Sequence, residues 1–517
     1  MKRIGLMAAC VWTGAALLAA SAPTHAEKVL NVGMAAADLG SLDPHRTATT
    51  PDKAIIGWMF NGLVRFKPGT MNPESIEPDL AESWDATEDQ LSWTFHLRKG
   101  VQCNNGYGEL TSDDVVFSLK RASDSKISSF SSDFADVASI EATDPYTIQI
   151  KLKQRPPSLL GILTNYQGGN IVCKKAVEKL GDDFRAKAVG TGPFAFSEYT
   201  PNQSVVLVAN KNYFRGAPKI DKIVYRYIPS DATRDLAYTS GEIDLIYGRQ
   251  DQTWAERMKS DPHTIVDVFG PGELSNINLN ITKKPLDDIR VRKAIAYAVN
   301  RAELVKFKGE LTARAAVSII PHDYLGTDEQ APLYPYDPDK AKALLAEAGF
   351  ANGVTIESVQ TSLPPMLNTM QIVQAELKKV GINLQLNVVD HPTFHAQIRK
   401  DLSPVVMYSA ARLPVADVYL VQFFHSRSIV GTPTAVTNFS HCDMADKEID
   451  AARLATDPAK QKELWKKAQE ILIEQVCAVP LYEQLQVWAR RDTLDYGYKL
   501  EASLTLGPII NEQSTLK

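Results

Sequence analysis

The stretch SAARLPVADVYLVQFF at 409–424 places Arg412 and Asp417 in an otherwise apolar run, with Pro414 between them. A guanidinium there can grip a carboxylate or phosphate through two parallel hydrogen bonds, and a buried carboxylate can hold an ammonium group. Each also has a plainer use: Arg412 can pair with a carboxylate at the protein surface, and Asp417 can cap a helix beginning at Val418. A second group of interest is DHPTFH, where His391 and His395 lie four apart, the helical spacing at which two imidazoles can share a metal. Pro392 suits the first position of a helix, which would make His391 a cap residue whose ring need not lie beside His395. Surface or capping histidines are therefore expected, as for the HCD triplet at 441–443, and neither a metal ligand nor a cofactor is assigned. The chain carries no GxSxG, HExxH, GxGxxG or P-loop pattern and no SxxK followed by KTG. The expectation is a non-enzymatic protein, with an exported hydrolase as the competing class.

Elements that could position these groups are legible in the periodicity. The residues VLNVGM near the N-terminus read as a buried strand entering a small-residue loop through Ala36, Ala37, Asp38 and Leu39, where backbone amides can meet a ligand. DKAIIGWMF follows with helical spacing, stopping near Asn61-Gly62. Residues 77–153 switch to alternating patterns around TSDDVVFSLKRA, a helix that Thr111 or Ser112 would cap. In the second half, helical segments alternate with the strands VTIESV and NLQLNVV, which predicts a substantially parallel α/β lobe. The segments LSNINLN and AVPLYEQLQVWARR read as strands, and KQKELWKKAQEILIEQ as an amphipathic helix.

At 517 residues the chain is too long for one ordinary core. A formal charge of −5 gives no basic footprint for nucleic acid. The first 26 residues carry Lys2 and Arg3, an apolar stretch and a small-residue end, which together read as a secretory signal cleaved after Ala26. An exported chain can oxidise its remaining cysteines, Cys103, Cys173, Cys442 and Cys477, for which three complete pairings are possible.

Several blocks standing in order carry a resemblance: SLDPH at 41, NGLVRF at 61, PDLAESWDATEDQLSWTFHLRKGVQ at 78, LTSDDVVFSLKRA at 110, VGTGPFAF at 189, NKNYFRGAPKIDKIVYRYIPSD at 210, PLDDIRVRKAIAYAVNRAELV at 285 and DPDKAKALLAEAGF at 337. Together they resemble the peptide/nickel family of extracellular solute-binding proteins that feed ABC importers. The resemblance implies a bilobed α/β periplasmic-binding-protein fold with an extra α+β subdomain in lobe I and two hinge-crossing strands. On this chain lobe I would be about 27–275 plus 483–517, with the insert at about 70–190, and lobe II would be about 276–482. It also implies a periplasmic, monomeric protein whose partners are a short peptide or peptide-like small molecule, held between the lobes, and an ABC permease. A non-peptide organic solute or a chelate of nickel or haem is the alternative cargo.

In dipeptide-binding members an aspartate of lobe II holds the ligand's ammonium beside an upstream tryptophan, and Asp417 matches that position. The following proline is replaced by Val418 and the tryptophan is missing, which argues against an ordinary dipeptide. The arginine that dipeptide binders use for the ligand carboxylate has no counterpart in the loop after Thr361, and Arg412 is the expected substitute. The resulting expectation is that Arg412 and Asp417 serve opposite ends of one ligand, with Tyr408, Tyr419 and Phe423 as apolar wall. Gly272 and Asn276 would contribute from the hinge approach, and Thr361 from the end of its strand. Glu483 would either bind a cationic ligand or hydrogen-bond across the lobes.

Overall fold

The computed structural model describes residues 27–47, 49–155, 158–431 and 437–517, so the secretory signal expected in residues 1–26 lies outside the described residues. The first strand, β1 (Val29–Met34), has Leu30, Val32 and Met34 wholly buried. Each such side chain contributes about 1.5–3 kcal/mol on removal from water. Helix α1 (Thr50–Ile56) follows and stops at Gly57, shorter than the spacing of DKAIIGWMF predicted. Trp58, Met59 and Phe60 continue as buried turn residues, so apolar spacing outlasts the helix itself.

The insert is built on β2 (Ala81–Ala86), β3 (Ser92–Leu97), β4 (Val137–Asp144) and β5 (Thr147–Leu152), an antiparallel sheet ordered β2-β3-β5-β4. Helix α2 (Ser112–Ser123) packs on it, with Thr111 as N-cap and the Asp114 carboxylate accepting from the Thr111 backbone N–H at 3.0 Å. The chain then forms the hairpin β6 (Phe194–Thr200) and β7 (Ser204–Ala209), strand β8 (Lys222–Tyr227), helix α3 (Asp231–Thr239), strand β9 (Leu245–Tyr247) and the 16-residue β10 (Thr264–Leu279).

Beyond it lie β11 (Ala313–Ala315), β12 (Val354–Thr361), β13 (Ile382–Val389), α4 (His391–Arg399), β14 (Val405–Ala410), α5 (Ala416–Phe424), α6 (Asp446–Leu454), α7 (Pro458–Glu474) and β15 (Ala478–Arg491). One mixed sheet runs β6-β7-β8-β1-β9-β15-β10-β14, with β11 also on β15. The fold is the bilobed α/β arrangement expected, because β10 and β15 enter two different cores. Phe269 and Trp488 lie in the first, while Ile277, Leu279, Val479 and Leu481 lie in the second. The expectation of a substantially parallel second lobe is corrected. Among the described strands there, β12 and β13 pair in parallel, whereas β14, β10, β15 and β11 are antiparallel, since β10 and β15 run past each other in opposite directions.

The four cysteines form Cys103–Cys173 and Cys442–Cys477. The first joins two parts of the insert, and the second lies within a cluster that draws on both lobes. That cluster joins Met71, Leu274, Ala502 and Leu504 to Tyr324, Tyr419, Phe423 and Phe424. Its apolar contacts hold the lobes together, and polar contacts at the same seam add to them. Arg453 Nη2 donates to Asp136 at 3.3 Å, Arg155 Nη1 to the Ala455 carbonyl at 2.7 Å, and Lys462 Nζ to Glu74 at 2.9 Å.

Candidate functional site

Arg412 leaves the end of β14 at the seam between the lobes. Its backbone N–H donates to the Tyr324 hydroxyl at 2.7 Å, and that hydroxyl donates to the Arg412 carbonyl at 2.8 Å. The guanidinium stacks 5.2 Å above the Phe423 ring, and its Nε donates to Gln422 at 2.5 Å. Nη1 donates to the Ala411 carbonyl at 2.9 Å. All these partners are neutral, so the charge of Arg412 is unmatched by any salt bridge among the described residues.

Three charged groups of the first lobe feel that guanidinium. Lys53 on α1 lies 5.7 Å from the centre of the Tyr166 ring and is pushed down to about 8 by burial and then by Arg412, with Glu273 opposing. Asp133 is pushed up to about 6 by burial, with Arg412 opposing. Glu273 is raised by burial, with Lys53 and Arg412 opposing. Among the described residues, none of these three side chains has a hydrogen bond or ion pair. Two cations and two carboxylates thus act on one another across the seam with no ion pair among the described residues, and buried charge without a counter-charge is costly unless something arrives to match it. The neighbouring hydroxyls of Tyr166, Tyr324 and Tyr419 are held protonated, their acidity suppressed chiefly by burial.

Asp417 is not part of this convergence. It is the second residue of α5, which begins at Ala416 with Val415 as its cap, so it caps no helix from Val418. Its carboxylate is 1 % exposed and lies 3.3 Å from Arg453 Nε, while Oδ1 has no hydrogen bond. Burial raises it to about 7 against the pull of Arg453 and Arg427, helped by repulsion from Asp136 and Asp450. The expectation that Arg412 and Asp417 grip two ends of one ligand is therefore overturned. A guanidinium 36 residues further along the chain already occupies the carboxylate.

Glu483 is likewise committed: it is fully buried, accepts from Arg314 Nε and Nη2 at 3.0 and 2.8 Å, and accepts the His322 backbone N–H at 2.6 Å. Its partners, Arg314 and His322, both belong to the second half of the chain. Gly272 lies directly beneath it, where a Cβ would come within 2.5 Å of the Glu483 carboxylate. Asp38 accepts from the Tyr199 hydroxyl and the Asn202 N–H, both at 2.8 Å, which pins the loop after β1 to the β6–β7 hairpin and takes that carboxylate away from a ligand. Ala36 and Leu39 pack on the first core, and Ala37 is exposed.

Asn276 donates to the Tyr419 hydroxyl at 3.4 Å and keeps a buried Oδ1 without a partner. Tyr419 stacks on Phe423 at 4.4 Å, and Tyr408 packs against Phe423 and Phe439. These rings form one aromatic cluster in which Tyr419 and Phe423 are buried, and the Arg412 guanidinium lies over Phe423. Thr361 lies further along lobe II, its hydroxyl 3.1 Å from His391 Nδ1. Missing from the sequence reading as individual contacts were Lys53, Asp133 and Tyr166. Glu273 stood inside the hinge approach, and its charge within the apolar setting of β10 was the available signal.

Residues 75–431 match the middle region of the bacterial extracellular solute-binding proteins, family 5. The chain belongs to that family. It is a solute-binding protein of the kind that serves ABC importers. It is 29 % identical over 513 residues to the di/tripeptide-binding protein 2 of Pseudomonas aeruginosa, covering 93 % of this chain and 94 % of that one. Among solved structures it is similar to MoaA of A. tumefaciens R10 in complex with mannopinic acid, at 50 % identity and a TM-score of 0.83, covering 95 % of this chain and all of that one. It is also similar to the ABC transporter-associated periplasmic binding protein DppA of Helicobacter pylori in complex with the peptide STSA. That likeness is at 29 % identity and a TM-score of 0.78, with 94 % and 98 % covered. Among the described residues no helix is long and apolar enough to cross a membrane.

Proposed function

We propose that this chain is the periplasmic, monomeric and non-enzymatic binding component of an ABC importer. It captures a small solute bearing both a carboxylate and a protonated amine and presents it to an inner-membrane permease. The observation that carries this reading is the mutual influence of Lys53, Asp133, Glu273 and Arg412 at the seam, two charges of each sign with no ion-pair partner among the described residues. Lys53 and Arg412 are the groups for the carboxylate, Glu273 and Asp133 those for the amine, and Tyr408, Tyr419 and Phe423 back them.

The lobes would be about 27–275 plus 483–517 and about 276–482, with the signal removed after Ala26. Since Arg412 comes from one and the other three charges from the other, the cargo's contacts are complete only when the lobes meet. Binding then shifts the population toward the closed form by its differential affinity, which is what a permease can sense. Because the amine-holding aspartate of dipeptide binders is taken by Arg453 in this chain, a compact amino-acid-derived acid fits better than a linear dipeptide. Mannopinic acid, found on the relative that is 50 % identical, is the first candidate.

Calorimetric titration tests this. Mannopinic acid is expected to bind one-to-one and to be recovered intact, a dipeptide to bind more weakly, and Arg412→Met to weaken the acid roughly 10- to 100-fold, the worth of one charged hydrogen-bonded contact. Equal affinity in wild type and Arg412→Met would refute the site, and turnover of the cargo would refute the class.

A further inference from the structure

The histidine pair is the most unusual side-chain cluster outside the seam. The sequence reading expected Pro392 to open the helix and leave His391 aside as a cap. In the structure α4 begins one residue earlier, with Asp390 as N-cap and its carboxylate accepting from the Thr393 N–H at 2.9 Å. His391 is therefore the first helical residue, and the two rings meet. Their centroids are 4.5 Å apart and nearly perpendicular, with Nε2 of one 3.1 Å from Nε2 of the other.

We propose that His391 and His395 form a binding site for a borderline-soft divalent metal ion, with the two Nε2 atoms as its protein ligands and the remaining positions open to solvent. Metal–imidazole bonds are about 2.0–2.1 Å long. Two nitrogens 3.1 Å apart then subtend about 100° at a shared ion, between the octahedral and tetrahedral angles. The i,i+4 spacing on a helix supplies this convergence without strain.

Thr361 Oγ1 sits 3.1 Å from Nδ1 of His391, where it can accept the Nδ1–H and so leave the Nε2 lone pair facing the shared point. An outer hydrogen bond of this kind is the usual support of a metal-bound imidazole. Without a metal the two facing nitrogens can share only one proton, and Nδ1 of His395 is buried with no hydrogen bond. Both rings are half-buried, so the ion's remaining positions face water. No group of three or more histidine, cysteine or acidic side chains gathers around a common point among the described residues, so the ion keeps exchangeable positions and binding is reversible. The site rests on these two rings alone and does not depend on which solute occupies the seam.

The test uses the full chain without an affinity tag, stripped by a chelator and titrated calorimetrically with nickel, zinc and copper(II) salts in turn. One saturable equivalent is expected for at least one of the three. It should be lost in His391→Gln and in His395→Gln, weakened about tenfold in Thr361→Val, and unchanged in His441→Ala, whose ring faces Asp401 instead. Copper(II) bound to the wild type should show hyperfine coupling to two imidazole nitrogens. Absence of saturable binding in the wild type, or equal binding in the double glutamine variant, overturns the proposal. If that variant fails to fold, the copper spectrum decides: two nitrogens uphold the site and none refutes it.

Discussion

Replacing Asp417 by asparagine should flatten the pH dependence of stability between pH 4 and pH 8. In the folded chain this carboxyl is raised to about 7 from an ordinary 3.8, because it is fully buried with one oxygen unbonded. A carboxyl raised on folding favours the native state most fully below its unfolded value, near pH 4. The advantage is lost progressively as pH rises through the folded value near 7. The gap between the two values, at about 1.4 kcal/mol per pH unit, bounds the loss at about 4 kcal/mol. The groups facing Asp417 are Arg453, Arg427, Asp136 and Asp450, with His425 joined to Asp450 behind them. Scaling the usual unfolding entropy per residue to a chain of this length gives about 1 °C of melting temperature per kcal/mol, hence a fall of up to about 4 °C. The assay is a pair of thermal melts at pH 4 and pH 8 for wild type and Asp417→Asn. Asp133, also raised, is present in both proteins, so the difference between their slopes isolates Asp417. Equal slopes would refute the assignment of a neutral, buried Asp417 to the native state at low pH.

Two further outcomes are expected. Lys53, pushed down to about 8, is cationic below that value, so affinity for a carboxylate-bearing solute should decline as pH rises from 7 to 9 and should lose that slope in Lys53→Met; calorimetry across the range checks it. The disulfides close segments of 70 and 35 residues, each worth about 4 kcal/mol by the loop-entropy relation, so reduction should lower the melting temperature by several degrees, with Cys103→Ala/Cys173→Ala and Cys442→Ala/Cys477→Ala each reproducing part of the loss.

Local pattern was enough to read much of this architecture. The positions of β1 and β15 follow from their largely apolar, β-branched and aromatic stretches, and α2 from Thr111 and the acidic first turn after it. Family resemblance supplied the bilobed plan. What failed were pairings between distant positions. Nothing near Asp417 announces Arg453, and nothing near Glu483 announces Arg314. Charge type alone does not say whether a buried carboxylate is taken by the protein or left for a ligand. Lys53, Asp133 and Glu273 are scattered over more than 200 positions and become neighbours only through the seam. The histidine pair failed differently, by one residue of helix phase: the Asp390 cap moved the start of α4 and turned His391 onto the face of His395.

The shared sheet sets a limit on how such a protein can be rebuilt. Strands β10 and β15 pair along most of their length and put side chains into both cores, so no linker exists at which the lobes could be separated. A fragment cut at residue 275 would carry open strand edges, the surface on which chains aggregate. Transplanting a whole lobe from a relative would cut both strands at the same level, where Ser275 pairs with Tyr482, and would require the two halves of each to meet in register across the join. Cargo preference is therefore most readily altered by point replacement of side chains along the seam, on a scaffold that must be inherited intact.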